Sequence, residues 1–131
     1  MRIPGIRALL QRIISLLNTV LNVDTLAIET SVSREIDTST DSAPITLVQP
    51  SSGKKLEARG AYIFTTSNSG EVWLEFPQTN QIIAKLYASK FKYAEMPKAK
   101  FTGATDEVIR VNWSGLDTDA KIFVVVVYRE V

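Results

Sequence analysis

The spacing of apolar residues changes along the chain. Through residue 23, Ile3, Ile6, Leu10, Ile13, Leu17 and Val20 recur at alternating intervals of three and four, the a/d pattern of a helix that packs along one seam. Leu9, Leu16 and Val23 flank that seam on one side, Ile14 and Leu21 on the other, so the apolar face is wider than a two-stranded seam needs. Pro4 and Gly5 set the start of the helix near Ile6, because proline is tolerated only in a first turn. From Asp24 the period becomes two: Leu26, Ile28, Val32 and Ile36 alternate with polar residues, as in a half-exposed strand or arm. Residues 37–44 are too polar to hold structure alone and read as a linker. The expected organisation is a helix over 1–23, an extended arm and linker over 24–43, and a β-domain over 44–131.

The rest of the chain alternates short strand patterns with turn residues. Strands are predicted over residues 45–49, 54–66, 71–76, 81–89 and 107–113, with shorter, less regular ones between 91 and 105. The turns fall at residues 50–53, 67–70, 77–80 and 114–119, which are rich in Gly, Pro, Asn, Asp and Ser. Leu56, Ala58, Tyr62 and Phe64 are expected on one face, with Gly60 as a bulge. Val72, Leu74 and Phe76 are expected to point inward. Ile82, Ala84, Leu86 and Ala88 are expected to share one face.

The most apolar run is the last, Ile122 to Tyr128. Its residues are β-branched or aromatic, which suits a pleated backbone. Ile122, Val124, Val126 and Tyr128 fall on one side, Phe123, Val125 and Val127 on the other. Apolar on both sides, it is expected to be a central strand covered on both faces. About eight strands with regularly spaced turns predict a mainly β fold, an antiparallel jelly-roll-like sandwich preceded by an amphipathic helix.

Composition narrows the chemistry. A chain of 131 residues is one domain's worth, and a net charge of +1 supplies no global field for nucleic acid or anionic lipid. With no Cys, disulfides and thiolate metal sites are excluded. With no His, the commonest general base, zinc ligand and partner of a Ser nucleophile are all missing. The expectation is a protein that is not an enzyme and needs no cofactor or metal.

Four readings compete for the N-terminal helix. A secretory signal is disfavoured because Gln11 and Arg12 interrupt the apolar run. A membrane-surface helix is consistent with three Arg and no acid before Asp24. The helix can also pack on its own β-domain. The reading adopted is assembly, with Ile6, Leu10, Ile13, Leu17 and Val20 meeting other copies or a larger particle.

Elsewhere the candidate chemistry is thin. Asp106, Glu107, Asp117 and Asp119 lack the spacing of a calcium loop and read as turn residues. Lys85, Lys90, Lys92, Lys98 and Lys100 interleave with Tyr87, Phe91, Tyr93 and Phe101, which suits single-stranded nucleic acid. They equally suit a strand edge protected by lysines, the reading preferred. Trp73 and Trp113 are candidates for stacking on a ligand or filling an interface.

The segments ITLVQPSSGKKLEARGAYIFTTSNSGEVWLEF, IIAKLYAS and KIFVVVVYREV resemble the small β-sandwich structural proteins of tailed phages and prophages. Those are capsid decoration, head-fibre or tail-tip components, commonly trimers. The resemblance spans residues 43–131, involves strand and turn texture, and brings no catalytic residues with it. It implies a homo-oligomer located in the virion after assembly in the host cytoplasm, with partners such as a major capsid protein; with a net charge of +1 no nucleic-acid partner is expected and a membrane is disfavoured. The alternatives are a carbohydrate- or receptor-binding tip, and a membrane-surface protein anchored by the helix.

Overall fold

The structure is a computed structural model that describes residues 5–26 and 28–131; the side chains of residues 18–26 lie outside the description. Among the described residues one helix, α1 (Ile6–Leu26), precedes nine strands. They are β1 (Thr30–Asp37), β2 (Ile45–Val48), β3 (Leu56–Thr65), β4 (Glu71–Phe76) and β5 (Gln81–Tyr87), followed by β6 (Tyr93–Glu95), β7 (Phe101–Thr102), β8 (Ile109–Ser114) and β9 (Lys121–Glu130). α1 starts where Pro4 and Gly5 place it, and the Gly5 carbonyl accepts the Leu9 N–H at 3.0 Å. It ends at Leu26, so residues 24–26, expected in the arm, belong to the helix.

The pairing is nested. β4 pairs with β5 at the tip, β3 with β6 and β7, β2 with β8, and β1 with β9, all antiparallel. One long hairpin is thus rolled into two sheets, β1-β9-β3-β6 with β7 beside β3, and β2-β8-β4-β5. This is the jelly-roll plan, which hides most strand edges by wrapping. β1 is paired with β9 along its whole length, from Thr30 opposite Tyr128 to Asp37 opposite Lys121. The stretch read as a half-exposed strand or arm is a sheet strand from Thr30 onward.

Residues 37–41, expected to be a linker, form a hydrogen-bonded turn. The Asp37 carboxylate accepts from the Ser39 N–H and hydroxyl, at 3.0 and 2.6 Å. Asp41 accepts the Asp37 N–H at 3.1 Å, and the Thr38 hydroxyl donates to the Ala120 carbonyl at 2.7 Å. These two contacts tie the turn to the strand before it and to the loop leading into β9.

The core lies between the sheets. Val72, Leu74 and Phe76 face Ile63, Ile122, Val124 and Val126, all 0–1% exposed. Two bulges correct the expected faces. In β3 the register shifts between Ala58 and Gly60, so parity reverses: Leu56 and Ala58 point inward, whereas Tyr62 and Phe64 point outward. In β5 the register shifts so that Leu74 opposes Ala84 and Glu75 opposes Ile82. Ile83 is the extra residue and is buried, leaving Ile82 42% exposed.

β9 corrects a further expectation. It is central in its sheet, but only the side carrying Ile122, Val124 and Val126 is covered. Phe123 is 41% exposed and Val125 and Val127 are half-buried. A sandwich of two sheets covers one face of each sheet, and among the described residues nothing lies over the second face of β9.

Candidate functional site

The outer faces of the two sheets differ in chemistry. Over β2-β8-β4-β5 the outward residues include charged pairs, Lys85 with Glu71 at 3.0 Å and Arg110 with Glu75 at 2.7 Å, beside Trp73, Ile82 and Tyr87. Over β1-β9-β3-β6 the registers set two apolar rows across the sheet. One runs Glu35, Phe123, Phe64, Tyr93 and the next Ser33, Val125, Tyr62, Glu95. Tyr62 and Tyr93 stack with ring centres 5.7 Å apart. Phe64 is 41% exposed and Tyr93 56%. A contiguous exposed apolar patch marks an interaction surface. Simple alternation along β3 hides this patch, because it sends Tyr62 and Phe64 inward. The bulge at Gly60 is the available signal, since one extra residue reverses every side chain beyond it.

This patch is bounded at one end by an ion cluster. Arg129 and Arg59 both contact Glu57 at 3.1 Å, and Arg59 also holds Glu29 at 2.8 Å. Glu57 is buried, so its charge is stabilised by these two guanidiniums. Glu29 lies just ahead of β1.

α1 presents the second apolar surface. Ile6, Leu10, Ile13 and Leu17 are 44–56% exposed, and Leu9, Ile14 and Leu16 are 55–61% exposed. Of the expected seam, Val20 falls outside the described side chains. Among the described residues no helix is long and apolar enough to cross a membrane.

The other candidate residues are dispersed. Trp73 lies on the outer face of the second sheet with the Lys85 ammonium 5.4 Å from its ring centre, and the same ammonium lies 5.2 Å from that of Tyr87. Lys85 is held more basic than usual by its hydrogen bond to Glu71, so a cation already covers this aromatic pair. Trp113 sits at the mouth of the sandwich, lining an open depression of about 420 Å³ with Thr38, Leu116 and Asp119. The lysines and aromatics noted in the sequence do not form one surface: Lys85 and Tyr87 are on one sheet, Tyr93 on the other. Lys92 donates to the Ser67 carbonyl at 2.7 Å and to Asn68 Oδ1, and Lys98 lies over Phe101.

The acidic residues close loops at separate places. Glu107, fully buried, accepts from the Thr79 N–H at 2.6 Å, the Thr79 hydroxyl at 2.9 Å and the Ala104 N–H at 2.8 Å. Asp106 accepts the Gly53 N–H at 2.7 Å. Asp117 accepts the Asn68 N–H at 2.6 Å and the Ser69 hydroxyl at 2.7 Å. Those bonds favour the ionised form and hold the Asp117 pKa below its ordinary 3.8, the Asn68 N–H contributing most. The Asp37 pKa is lowered in the same way, first by the Ser39 hydroxyl. Among the described residues no three His, Cys, Asp or Glu side chains gather as metal ligands.

The chain matches no protein-family model, and no curated protein matches it in sequence. Its fold is similar to solved viral structures. A chain in the acidic stable capsid structure of Helicobacter pylori bacteriophage KHP30 aligns with a TM-score of 0.59 at 16% identity, over 80% of this chain and 94% of that one. A chain in the cyanophage Pam1 capsid asymmetric unit aligns with a TM-score of 0.48 at 13% identity, over 77% and 84%. The first likeness shows a shared fold, a jelly roll that spans nearly the whole of the phage capsid chain.

Proposed function

We propose that this chain is a non-enzymatic structural protein of a phage virion, a capsid decoration protein or related head or tail component, and that it forms a homo-oligomer, a trimer. The observation that carries this reading is the pairing of a capsid-type jelly roll with an apolar helix that its own chain leaves exposed. α1 is the assembly element, and its apolar face is wider than a two-stranded seam needs. The jelly roll from Thr30 onward is the body presented at the particle surface, and the major capsid protein is the natural partner.

The test has two arms. Virions produced from the genome that encodes this chain should contain it in stoichiometric amount by mass spectrometry; a chain abundant in the lysate and absent from particles defeats the reading. In the second arm, Leu10→Asp with Leu17→Asp should abolish self-association and incorporation. Each buried Leu is worth about 1.5–3 kcal/mol, and a buried carboxylate opposes burial further. Unchanged sedimentation and unchanged incorporation would remove α1 from the assembly.

A second reading is a glycan- or receptor-binding tip, favoured by the Trp113 depression, where an indole borders hydroxyl and carboxylate groups. A glycan array separates the two: specific binding lost in Trp113→Ala supports the tip, and a blank array does not.

A further inference from the structure

The apolar outer face of β1-β9-β3-β6 needs a cover, and the chain carries one unused cover of matching chemistry. We propose that this face receives α1 from a second copy of the chain, so that copies are joined helix-to-sheet. The inference rests on the homo-assembly reading and names the surface that the helix meets.

Dimensions fit. Across the aromatic rows, where β6 pairs with β3, four strands at about 4.8 Å spacing present a face roughly 14 Å across, enough for one helix about 10–12 Å in diameter. The aromatic group of Phe123, Phe64, Tyr62 and Tyr93 stands at one end of the face. Ser31, Val127 and Gly60 form the next row, with smaller side chains than the aromatic rows. A helix with rows of Leu and Ile on several sides, as α1 has between Ile6 and Leu17, can cover the small row and touch the aromatic wall together.

Charge is complementary. Glu35 on β1 and Glu95 on β6 stand at the two edges of the face, both exposed. Glu35 makes a long contact of 4.0 Å with Lys121, and both side chains are more than half exposed. Residues 5–17 carry Arg7 and Arg12 and no acid. An arginine on each flank of a seated helix can meet an acidic edge while its aliphatic part stays on the apolar surface.

The exposure of α1 favours a second copy over the helix's own sheet. Arg59 holds Glu29 at 2.8 Å beside the ion cluster at the end of the face. Among the described side chains, those of α1 from Ile6 to Leu17 are left exposed by the chain itself.

The absence of Cys makes the test clean. Full-length Leu10→Cys and Phe123→Cys variants are mixed and treated with a short bismaleimide, after sedimentation and melting establish that each folds and associates like the parent. A dominant intermolecular product joining position 10 of one copy to position 123 of another supports the proposal. Cross-links between two copies of position 10 alone mean helix bundles, and between two copies of position 123 alone mean sheet-on-sheet contact. Either result overturns this inference and leaves self-assembly standing. Intramolecular product from a dilute double variant means the helix covers its own sheet, and overturns it as well. A monomeric parent with no product overturns the assembly reading itself. As an independent check, Glu35→Lys with Glu95→Lys should weaken association at least tenfold. Mixing with Arg7→Glu, Arg12→Glu protein should restore it, and failure of that rescue counts against the proposed contact.

Discussion

Gly70 and Gly115 cross so closely that a Cβ on Gly70 would lie 2.5 Å from the Gly115 carbonyl oxygen and nearer still to the Ser114 carbonyl. Gly70 also has a φ of +84°, a conformation that costs an L side chain about 1–2 kcal/mol by itself. The crossing joins the β3–β4 loop to the β8–β9 loop. Ser67 and Ser69 stitch it, with Ser67 Oγ accepting the Asp117 N–H at 2.9 Å and the Ser69 hydroxyl donating to the Gly115 carbonyl at 3.1 Å. Gly70→Ala should therefore destabilise the domain by more than about 2 kcal/mol, overlap adding to backbone strain. Chemical denaturation measures it, and a change under about 0.5 kcal/mol, as at an ordinary surface site, would show that the crossing opens freely.

The same junction gives a pH signature. The Asp117 pKa is lowered in the folded chain, so its contribution to stability is present above the ordinary carboxylate value. That contribution is lost as pH falls through the lowered value. Asp117→Asn should thus melt lower than the parent at neutral pH, with the difference shrinking as the carboxylate of the parent becomes protonated. Parallel melting curves across the acid range decide it; a constant gap would mean that shape, not charge, sets the role of Asp117.

Val124 and Val125 should respond very differently to the same charge. Val124 is 1% exposed, and an isolated carboxylate there costs several kcal/mol, comparable with the whole stability of a small domain. Val125 faces outward and is half-buried, so Val125→Asp should leave the monomer folded while impairing whatever covers that face. Circular dichroism separates the two variants: unfolding in both would mean that the outer face is covered within the chain.

Glu107 should prove structural. It satisfies the N–H groups of Thr79 and Ala104, which join the β4–β5 turn to the loop after β7. Glu107→Ala leaves those donors without an acceptor at about 1–3 kcal/mol each. Hydrogen exchange at Thr79 and Ala104 should accelerate with the loss of stability; unchanged protection there would show that water replaces the carboxylate.

The sequence alone was enough for the elements that depend on local pattern. The three-and-four spacing up to Val23 and the Pro4–Gly5 start mark the helix, and period-two runs between turn residues mark the strands, including β4 with Val72, Leu74 and Phe76 inward. These follow from side-chain direction and backbone dihedrals, which are properties of neighbouring residues. Tertiary structure decided the rest. Whether β9 is covered once or twice depends on how many layers meet it, and no property of the run from Ile122 to Tyr128 encodes that. The outward turn of Tyr62 and Phe64 depends on where the bulge falls against β9, because register belongs to a pair of strands and not to one. The nested pairing of β1 with β9 joins segments from opposite ends of the β-domain, and packing of the whole core selects it.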